Sequence, residues 1–331
     1  MKITAHNDAG AFDALKPEWN PLLKRAATDL LFNTWGWHKY WWDNYHPGDL
    51  WMLTIRDSDD ILRGIAPFFI LGKSLHFVGC EDVTDYLDII VDKDHTDAVY
   101  ATLAAFLNEQ DVFQEIDLCN IPEFSPTCQQ LPAALERCQF EVSVTQQEVC
   151  PVIDLPDDFD AYLEALDSKQ RRDVRRKLRK ADAGKQRGII DWYIVDESHD
   201  LQAEIDRFLN LMRIADPEKE KFLSDENNVR FFNAIIPAML EQGWLQLNFM
   251  TVNGEAAAAY LNFDYENRIY VYNSGLDAAQ FGKLSPGIIL LAYNIQYAIE
   301  QGRDKFDFLR GDENYKYRMG GQNTTVYNLK A

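Results

Sequence analysis

The stretch RIYVYNSGLDAAQFGKLSPGIILLAYNIQYAIEQGRDKFDFL, residues 268–309, predicts a strand, a helix and a second strand in succession. In the first strand, 268–274, hydroxyl-bearing side chains lie mostly opposite apolar ones, as expected when one face is buried. The helix, 285–301, carries apolar residues at helical spacing that would face the core: Ile288, Leu291, Ala292, Ile295 and Ile299. A strand at 305–309 completes the unit, so we expect parallel strands joined by a right-handed crossover.

The start of this helix is a candidate anion site. Ser285 can cap the helix, Pro286 suits its first position, and Gly302 is placed to end it. Free N–H groups and the helix dipole favour a diphosphate there, and Gly287 would let the ligand approach the backbone. Lys283 would add a positive charge. The alternative is a well-capped helix without a ligand.

The second strand runs directly into RGDENYKYRMGG, residues 310–321, a dense mixture of acids, bases and phenols. Ligands of open α/β sheets collect at the carboxyl ends of strands, which is where this segment begins. A solvated loop with salt bridges is the alternative. The adjoining glycines and tyrosines favour function, and the candidates are Arg310, Asp312, Glu313, Tyr315 and Lys316.

Composition bounds the remaining possibilities. The 331 residues are 47% hydrophobic and 13% aromatic, and they carry a formal charge of −20. This predicts two globular domains, 1–150 and 151–331, and argues against general binding of DNA or other polyanions. The polar N-terminus and the short apolar runs predict a cytoplasmic chain without a membrane span. The five cysteines are odd in number, which suggests reduced thiols.

A basic run at 169–187 interrupts this acidic background. It has ten cations against Asp173 and Asp182, a net charge of +8, and leaves −28 for the rest of the chain. The run overlaps a predicted helix and could hold a phosphorylated donor or a polyanionic acceptor. A solvated helix face is the alternative.

The first half offers fewer candidates. Asp85 follows a short β-type run and could act as a general base or orient an acceptor, although a turn residue is the simpler interpretation. The aromatic stretch from Trp35 to Trp42 is typical of a core. No G-x-G-x-x-G, complete P-loop, H-E-x-x-H or G-x-S-x-G motif occurs, which disfavours dinucleotide binding, nucleotide hydrolysis, zinc hydrolysis and serine hydrolysis.

The segment 303–316, RDKFDFLRGDENYK, resembles the C-terminal signature of the CelD/BcsL-type GNAT acetyltransferases, which are associated with cellulose and exopolysaccharide biosynthesis. The segments 270–277 and 284–287 are similar to the strand and donor loop of that family. Asp85-Tyr86 and the arginine-rich helix at 171–179 extend the resemblance to nearly the whole chain. The family looks related to the Fem-type peptidoglycan ligases, so the implied fold is mixed α/β, with tandem GNAT-like halves in a Fem-like architecture.

The resemblance implies an acyltransferase that uses acetyl-CoA or another acyl-CoA, without a metal, and acylates an amine or hydroxyl of a glycan or cell-envelope precursor. The 1–150 half would serve the acceptor and the 151–331 half the donor. The implied catalytic residues are Asp85, Tyr272, Glu313, Tyr315 and Lys316, and a backbone N–H at 272–274 would stabilise the oxyanion. The implied donor-binding residues are Ser274, Lys283, Ser285, Pro286 and Gly287. The implied substrate- or anion-binding residues are Tyr86, Arg171, Arg175, Arg310 and Asp312.

Two other functions stay open. A Fem-like aminoacyl transferase would use aminoacyl-tRNA and could dock RNA on the basic helix. A catalytically inactive GNAT-like protein would act as a partner of a polysaccharide synthase. Fold alone does not choose among the three.

Overall fold

A computed structural model describes residues 1–80 and 83–331. The chain divides into two compact units, unit 1 (1–149 and 324–331) and unit 2 (150–323). The return of 324–331 to unit 1 was not part of the predicted division. It arises because residues 326–330 pair with the strand at 115–122.

The strands are β1 (Lys2–His6), β2 (Asp49–Arg56), β3 (Leu62–Leu71), β4 (Ser74–Phe77), β5 (Ile90–Val91), β6 (Glu115–Pro122), β7 (Ser143–Asp154), β8 (Ile190–Ile194), β9 (Leu245–Val252), β10 (Glu255–Tyr265), β11 (Arg268–Leu276), β12 (Lys305–Asp307) and β13 (Gln322–Lys330). The helices are α1 (Gly10–Leu23), α2 (Trp35–Tyr45), α3 (Thr96–Asn108), α4 (Pro126–Arg137), α5 (Phe159–Ala165), α6 (Ser168–Lys185), α7 (Leu201–Ala215), α8 (Pro217–Phe222), α9 (Glu226–Glu241), α10 (Ala278–Phe281), α11 (Pro286–Glu300) and α12 (Asn314–Arg318).

Unit 1 is built on a mixed sheet with the strand order β1-β2-β3-β4-β6-β13, and β5 also pairs with β3. The β4–β6 pair is parallel and the other pairs are antiparallel. The aromatic stretch at the start of α2 belongs to the core, as predicted, because Trp37 and Trp41 are fully buried.

Polar groups inside unit 1 are enclosed by neighbours of the same unit. The His38 ring is fully buried and its Nδ1 lies 3.0 Å from the Val78 carbonyl oxygen. Burial lowers the pKa of His38 to about 3. The buried Asp88 carboxylate accepts hydrogen bonds from the Thr28 and Ser125 hydroxyls. His38 and Asp88 therefore contact other residues inside the core of unit 1 and do not face solvent.

Cysteine pairing differs from the sequence-based expectation. Cys80 and Cys119 form a disulfide in unit 1, with their Cα atoms 6.2 Å apart. Among the described residues, Cys128, Cys138 and Cys150 form no disulfide. The expectation that all five are reduced thiols is therefore corrected, because β4 and β6 are adjacent strands and bring the ends of their segments together.

The sheet strands of unit 2 follow the order β7-β12-β11-β10-β9-β8, to which β7 contributes its last residues. The β11–β12 pair is parallel, and the other pairs are antiparallel. The predicted Asn253-Gly254 hairpin turn is confirmed, since both residues have positive φ, 53° and 83°.

Helices cover both faces of the unit 2 sheet. Residues from α5, α6 and α11 form one core with the sheet, and α7 and α9 pack against the other face. Contact with α7 is closest at Gly275, where an added Cβ would lie 2.5 Å from backbone atoms of Leu211 and Met212. Only glycine fits between β11 and α7 at that position.

The predicted strand, helix and strand at 268–309 are observed as β11, α11 and β12, and the two strands are parallel as expected. Two short elements that were not predicted, α10 and a 3-10 turn at Gly282–Leu284, precede α11. Among the residues that the structure describes, no helix has both the length and the apolar character needed to cross a bilayer.

Candidate functional site

The strands β11 and β12 separate at their carboxyl ends. They pair only through Arg268–Lys305, Ile269–Phe306 and Tyr270–Asp307. Beyond these pairs β12 ends, whereas β11 continues to Leu276. Such an opening at the ends of parallel strands is where α/β sheets bind ligands, so the exposed edge of β11 beyond Tyr270 defines the candidate site.

A β-bulge lies at this opening. The register of β10 and β11 pairs Asn262 with Val271 and Leu261 with Asn273, so Tyr272 is an extra residue in β11. The ring of Tyr272 packs between Phe232 of α9 and Phe263, with centroid distances of 6.0 and 5.4 Å. Bulges redirect backbone groups locally, and this one falls within the segment predicted to supply the oxyanion N–H.

Lys219 is a site residue that the sequence analysis missed. It projects from α8, and its Nζ donates to the Ser274 carbonyl oxygen at 2.6 Å and lies 3.4 Å from Ser274 Oγ. Burial lowers the pKa of Lys219 to about 8, against the opposing effect of the Asp216 and Glu313 charges. An ammonium with that pKa is partly neutral near physiological pH, which suits proton transfer.

Lys316 fixes the loop that follows β12. Its side chain is buried, and its Nζ donates to the carbonyl oxygens of Leu309, Arg310 and Gly311 at 3.2, 2.6 and 3.1 Å. The same Nζ pairs with Glu313 Oε2 at 2.9 Å. With these acceptors around it, the ammonium holds the loop and positions Glu313.

Glu313 stands at the rim of the opening. Its side chain is 56% exposed. Its negative charge opposes the lowering of the pKa of Lys219 by burial and contributes to the raised pKa of Tyr315. Gly311 has a φ of 111°, and a Cβ there would lie 2.5 Å from Glu313 Oε2. The glycine therefore makes room for the carboxylate between the two lysines.

Tyr315 links this rim to the start of α11. Its ring meets Phe308 edge to face, with centroids 6.1 Å apart. Burial raises the pKa of Tyr315, and nearby Tyr260 and Glu313 add to this effect. The Tyr260 hydroxyl in turn donates to the Gly287 carbonyl oxygen at 3.3 Å, so one of the groups that raise the pKa of Tyr315 contacts the helix start.

The start of α11 differs in one respect from the prediction. Pro286 occupies the first helical turn as expected, but the Ser285 side chain makes no capping hydrogen bond. The reason is that Ser285 ends the preceding 3-10 turn in the left-handed conformation, with φ 57° and ψ 51°, whereas a capping residue has an extended backbone. Gly287 is half-buried and Lys283 is exposed beside it.

Positive charge borders this helix start. A cavity of about 590 Å³ is lined by Leu284 of the preceding turn and by four cations of the basic segment. These cations are Arg176, Arg179, Lys180 and Arg187. An anion at the start of α11 would therefore also meet the field of the C-terminal part of α6.

The remaining predicted residues lie elsewhere. Arg171 and Arg175 both pair with Glu164, Arg175 at 3.0 Å. Asp312 is exposed in the loop that Lys316 holds. Asp85 and Tyr86 belong to unit 1, where Tyr86 is buried with its ring 5.9 Å from that of Phe32. Unit 2 thus brings together Tyr272, Ser274, Glu313, Tyr315 and the start of α11.

Residues 168–317, which contain the separating strands and the start of α11, match the model of the acetyltransferase (GNAT) domain family. The match identifies a GNAT-like domain in this part of the chain. No curated protein matches the chain. The GNAT region holds every predicted site residue except Asp85 and Tyr86.

Solved structures extend the similarity beyond the GNAT region. The chain is similar to the crystal structure of FemX, with a TM-score of 0.63, 14% identity, and coverage of 99% of this chain and 97% of that one. It is similar to L-PGS from Bacillus licheniformis, with a TM-score of 0.55, 12% identity, and coverage of 99% and 93%. It is also similar to a tandem GNAT protein from the clavulanic acid biosynthesis pathway, with a TM-score of 0.52, 10% identity, and coverage of 99% of this chain and 98% of that one. At these identities the likeness shows a shared fold, that of tandem GNAT and Fem-type proteins.

Proposed function

We propose that the protein transfers an acetyl or longer acyl group from acyl-CoA to an amine or hydroxyl acceptor, as in polysaccharide or cell-envelope biosynthesis. The observation that carries the proposal is the separation of β11 from β12 beside the start of α11, within the GNAT region. An opening between parallel strands accommodates a thioester arm, and the helix start beside it suits the diphosphate from which that arm extends.

In this proposal the donor diphosphate binds the first free N–H groups of α11, beginning at Gly287. Lys283 and the cations that line the cavity beside Leu284 add electrostatic attraction for the donor phosphates. Ser274 and the bulge at Tyr272 line the path of the thioester.

The acceptor nitrogen or oxygen would attack the thioester carbonyl, whose oxyanion a backbone N–H at 272–274 would stabilise. Glu313 would accept the proton of the acceptor and pass it to the neutral fraction of Lys219, whose pKa of about 8 allows this near physiological pH. Tyr315 would protonate the departing thiolate and regain a proton from water, to which Lys219 returns the proton taken from the acceptor. Lys316 would position Glu313 throughout.

The test measures donor binding and turnover separately. Acetyl-CoA and longer acyl-CoAs should raise the melting temperature, and free CoA thiol should appear when an acceptor is present. Glu313→Gln and Tyr315→Phe should keep the thermal shift and slow thiol release. Lys221→Met, an exposed change on α8, should keep the shift and leave the rate of thiol release unchanged. The absence of any shift with acyl-CoA would refute the donor assignment, and unchanged rates in both site variants would remove these roles.

A second candidate is an aminoacyl transferase that uses charged tRNA. The observations in its favour are the similarity in fold to FemX and the net charge of +8 over residues 169–187. Retention of labelled tRNA at moderate salt, without retention of acyl-CoA, would favour it. Binding of neither donor, together with co-purification of a polysaccharide synthase, would favour a catalytically inactive partner protein.

A further inference from the structure

A second cavity of unit 2 lies along the C-terminal half of α11 and shares Arg176 and Arg179 with the cavity beside Leu284. Its volume is about 770 Å³, and α5, α6, β8 and α11 line it. Its lining includes Gln296, nine residues beyond Gly287, which corresponds to about 13 Å along the helix axis. It also lies on the α6–α11 face of the sheet, whereas Tyr272 packs against α9 on the other face.

One wall of this cavity is basic. The helix α6 directs four arginines to it at helical spacing, Arg172, Arg175, Arg176 and Arg179. Arg175 pairs with Glu164, and Arg176 pairs with Asp173. Arg172 and Arg179 make no ion pair with any residue in the described parts of the chain. They lie two helical turns apart on one side of α6, so their flexible side chains can converge on one anionic group.

Within the described parts of the chain, no acid of the lining forms an ion pair with these two arginines, and each acid has another partner. Asp182 accepts a hydrogen bond from the Tyr293 hydroxyl at 2.8 Å. Glu300 accepts one from Gln296 at 2.7 Å. Asp160, which is largely exposed, lies 3.6 Å from Arg175.

The opposite wall is an aromatic cluster. The Trp192 indole stacks on Tyr293 with centroids 5.4 Å apart and an interplanar angle of 9°, and Tyr297 meets it edge to face at 6.5 Å. Trp192 and Tyr297 are only half-buried. The hydrogen bond from Tyr293 to Asp182 fixes the cluster against α6, so the indole forms a preorganised surface for a flat or sugar ring.

We propose that this cavity binds a small phosphorylated ligand that carries a ring, a nucleotide or a sugar phosphate. Arg172 and Arg179 hold the phosphate, and Trp192 and Tyr297 contact the ring. Arginine suits phosphate because its planar guanidinium donates two hydrogen bonds at once. The volume is typical of a small-molecule site, and the charge of −28 outside the basic segment disfavours a long nucleic acid.

The test is calorimetric titration of the full chain with UDP, ADP, glucose 6-phosphate and inorganic diphosphate. We expect at least one ring-containing ligand to bind, with a loss of affinity of about tenfold or more in the double variant R172A/R179A. Trp192→Leu should weaken the ring-containing ligands and leave diphosphate unaffected. Tyr297→Leu provides the same comparison if the tryptophan variant unfolds. Lys185→Ala, which removes an exposed cation of the basic segment that lines neither cavity, is the matched control.

The site does not depend on the proposed acyltransferase activity, and the variants separate the two. Arg172 lines this cavity but not the one beside Leu284, so Arg172→Ala should leave the thermal shift with acetyl-CoA unchanged. Loss of that shift would make the cavity part of the donor site and overturn the proposal. Equal losses in Lys185→Ala, no binding of any of the four probes, or selective binding of tRNA that R172A/R179A abolishes would also overturn it.

Discussion

The two units place their charged and polar groups differently. In unit 1, His38 and Asp88 are completely buried and contact groups of the same unit. In unit 2, Lys219, Glu313 and Lys316 gather at the open end of β11, where Glu313 reaches solvent. A buried, hydrogen-bonded carboxylate such as that of Asp88 helps to specify a core, whereas ionisable groups at a strand end are available for chemistry. The contrast explains why the proposed reaction lies in the GNAT region.

The largest effect should follow from Gly275→Val, which tests how closely the site strand β11 packs against α7. Any Cβ at this position would lie 2.5 Å from the α7 backbone, and backbone cannot move aside as a side chain can. We expect a loss of about 3 kcal/mol or more in the free energy of unfolding, measured with denaturant. Gly282→Ala is the control, since its Cβ would meet only Ala278 at 3.9 Å. Similar stability of the two variants would contradict the close packing of β11 on α7.

The next largest effect should follow from replacing Lys219, the lysine of the candidate site whose pKa is lowered to about 8. Lys219→Met should lower the rate of acyl transfer about 100-fold, within the range for loss of acid–base catalysis. Wild-type activity should rise with pH through about 8, because only the neutral amine accepts a proton. This rise should be absent in the variant, and Lys221→Met should retain it. A variant that is slow but keeps the same pH profile would indicate that Lys219 only supports Ser274.

The sequence was informative where the signal is local. The apolar spacing in α11 and Pro286 at its start are local signals, and the order of strand, helix and strand and the parallel pairing of the strands were predicted correctly. Lys219 was missed because PEKEKF, residues 217–222, has the composition of a solvated helix. Its burial results from a contact with Ser274, 55 residues away.

Two local predictions failed for related reasons. The Ser285 cap was lost because the preceding 3-10 turn fixes a left-handed backbone at that residue. The regular alternation of β11 is interrupted at Tyr272 by its register with β10. Neighbouring elements determine both features, and a pattern within one segment does not contain them.

A smaller effect tests the structural role assigned to the buried polar groups of unit 1. The unfolded chain protonates His38 below about pH 6.5, whereas the folded chain resists protonation until about pH 3. Stability should therefore fall as pH decreases through this window, by about 2 kcal/mol between pH 6.5 and 5. Urea unfolding of His38→Gln at pH 7 and pH 5 should show a pH dependence weaker by that amount. His199→Gln in unit 2, where the ring pairs with Asp196 at 2.8 Å, should not reproduce this weakening.

The smallest expected change in stability comes from the ion pairs of Glu164 with α6, which we compare with the ion pair between Glu313 and Lys316 at the candidate site. Glu164 is 57% exposed and pairs with both Arg171 and Arg175, so Glu164→Gln should change the free energy of unfolding by less than about 1 kcal/mol. Glu313→Gln removes an ion pair with the buried ammonium of Lys316, whose remaining acceptors are backbone carbonyl oxygens. It should therefore slow acyl transfer while Glu164→Gln leaves the rate unchanged. If the Glu164 variant were the slower enzyme, the chemistry would depend on α6, and the opening between β11 and β12 would lose its proposed role.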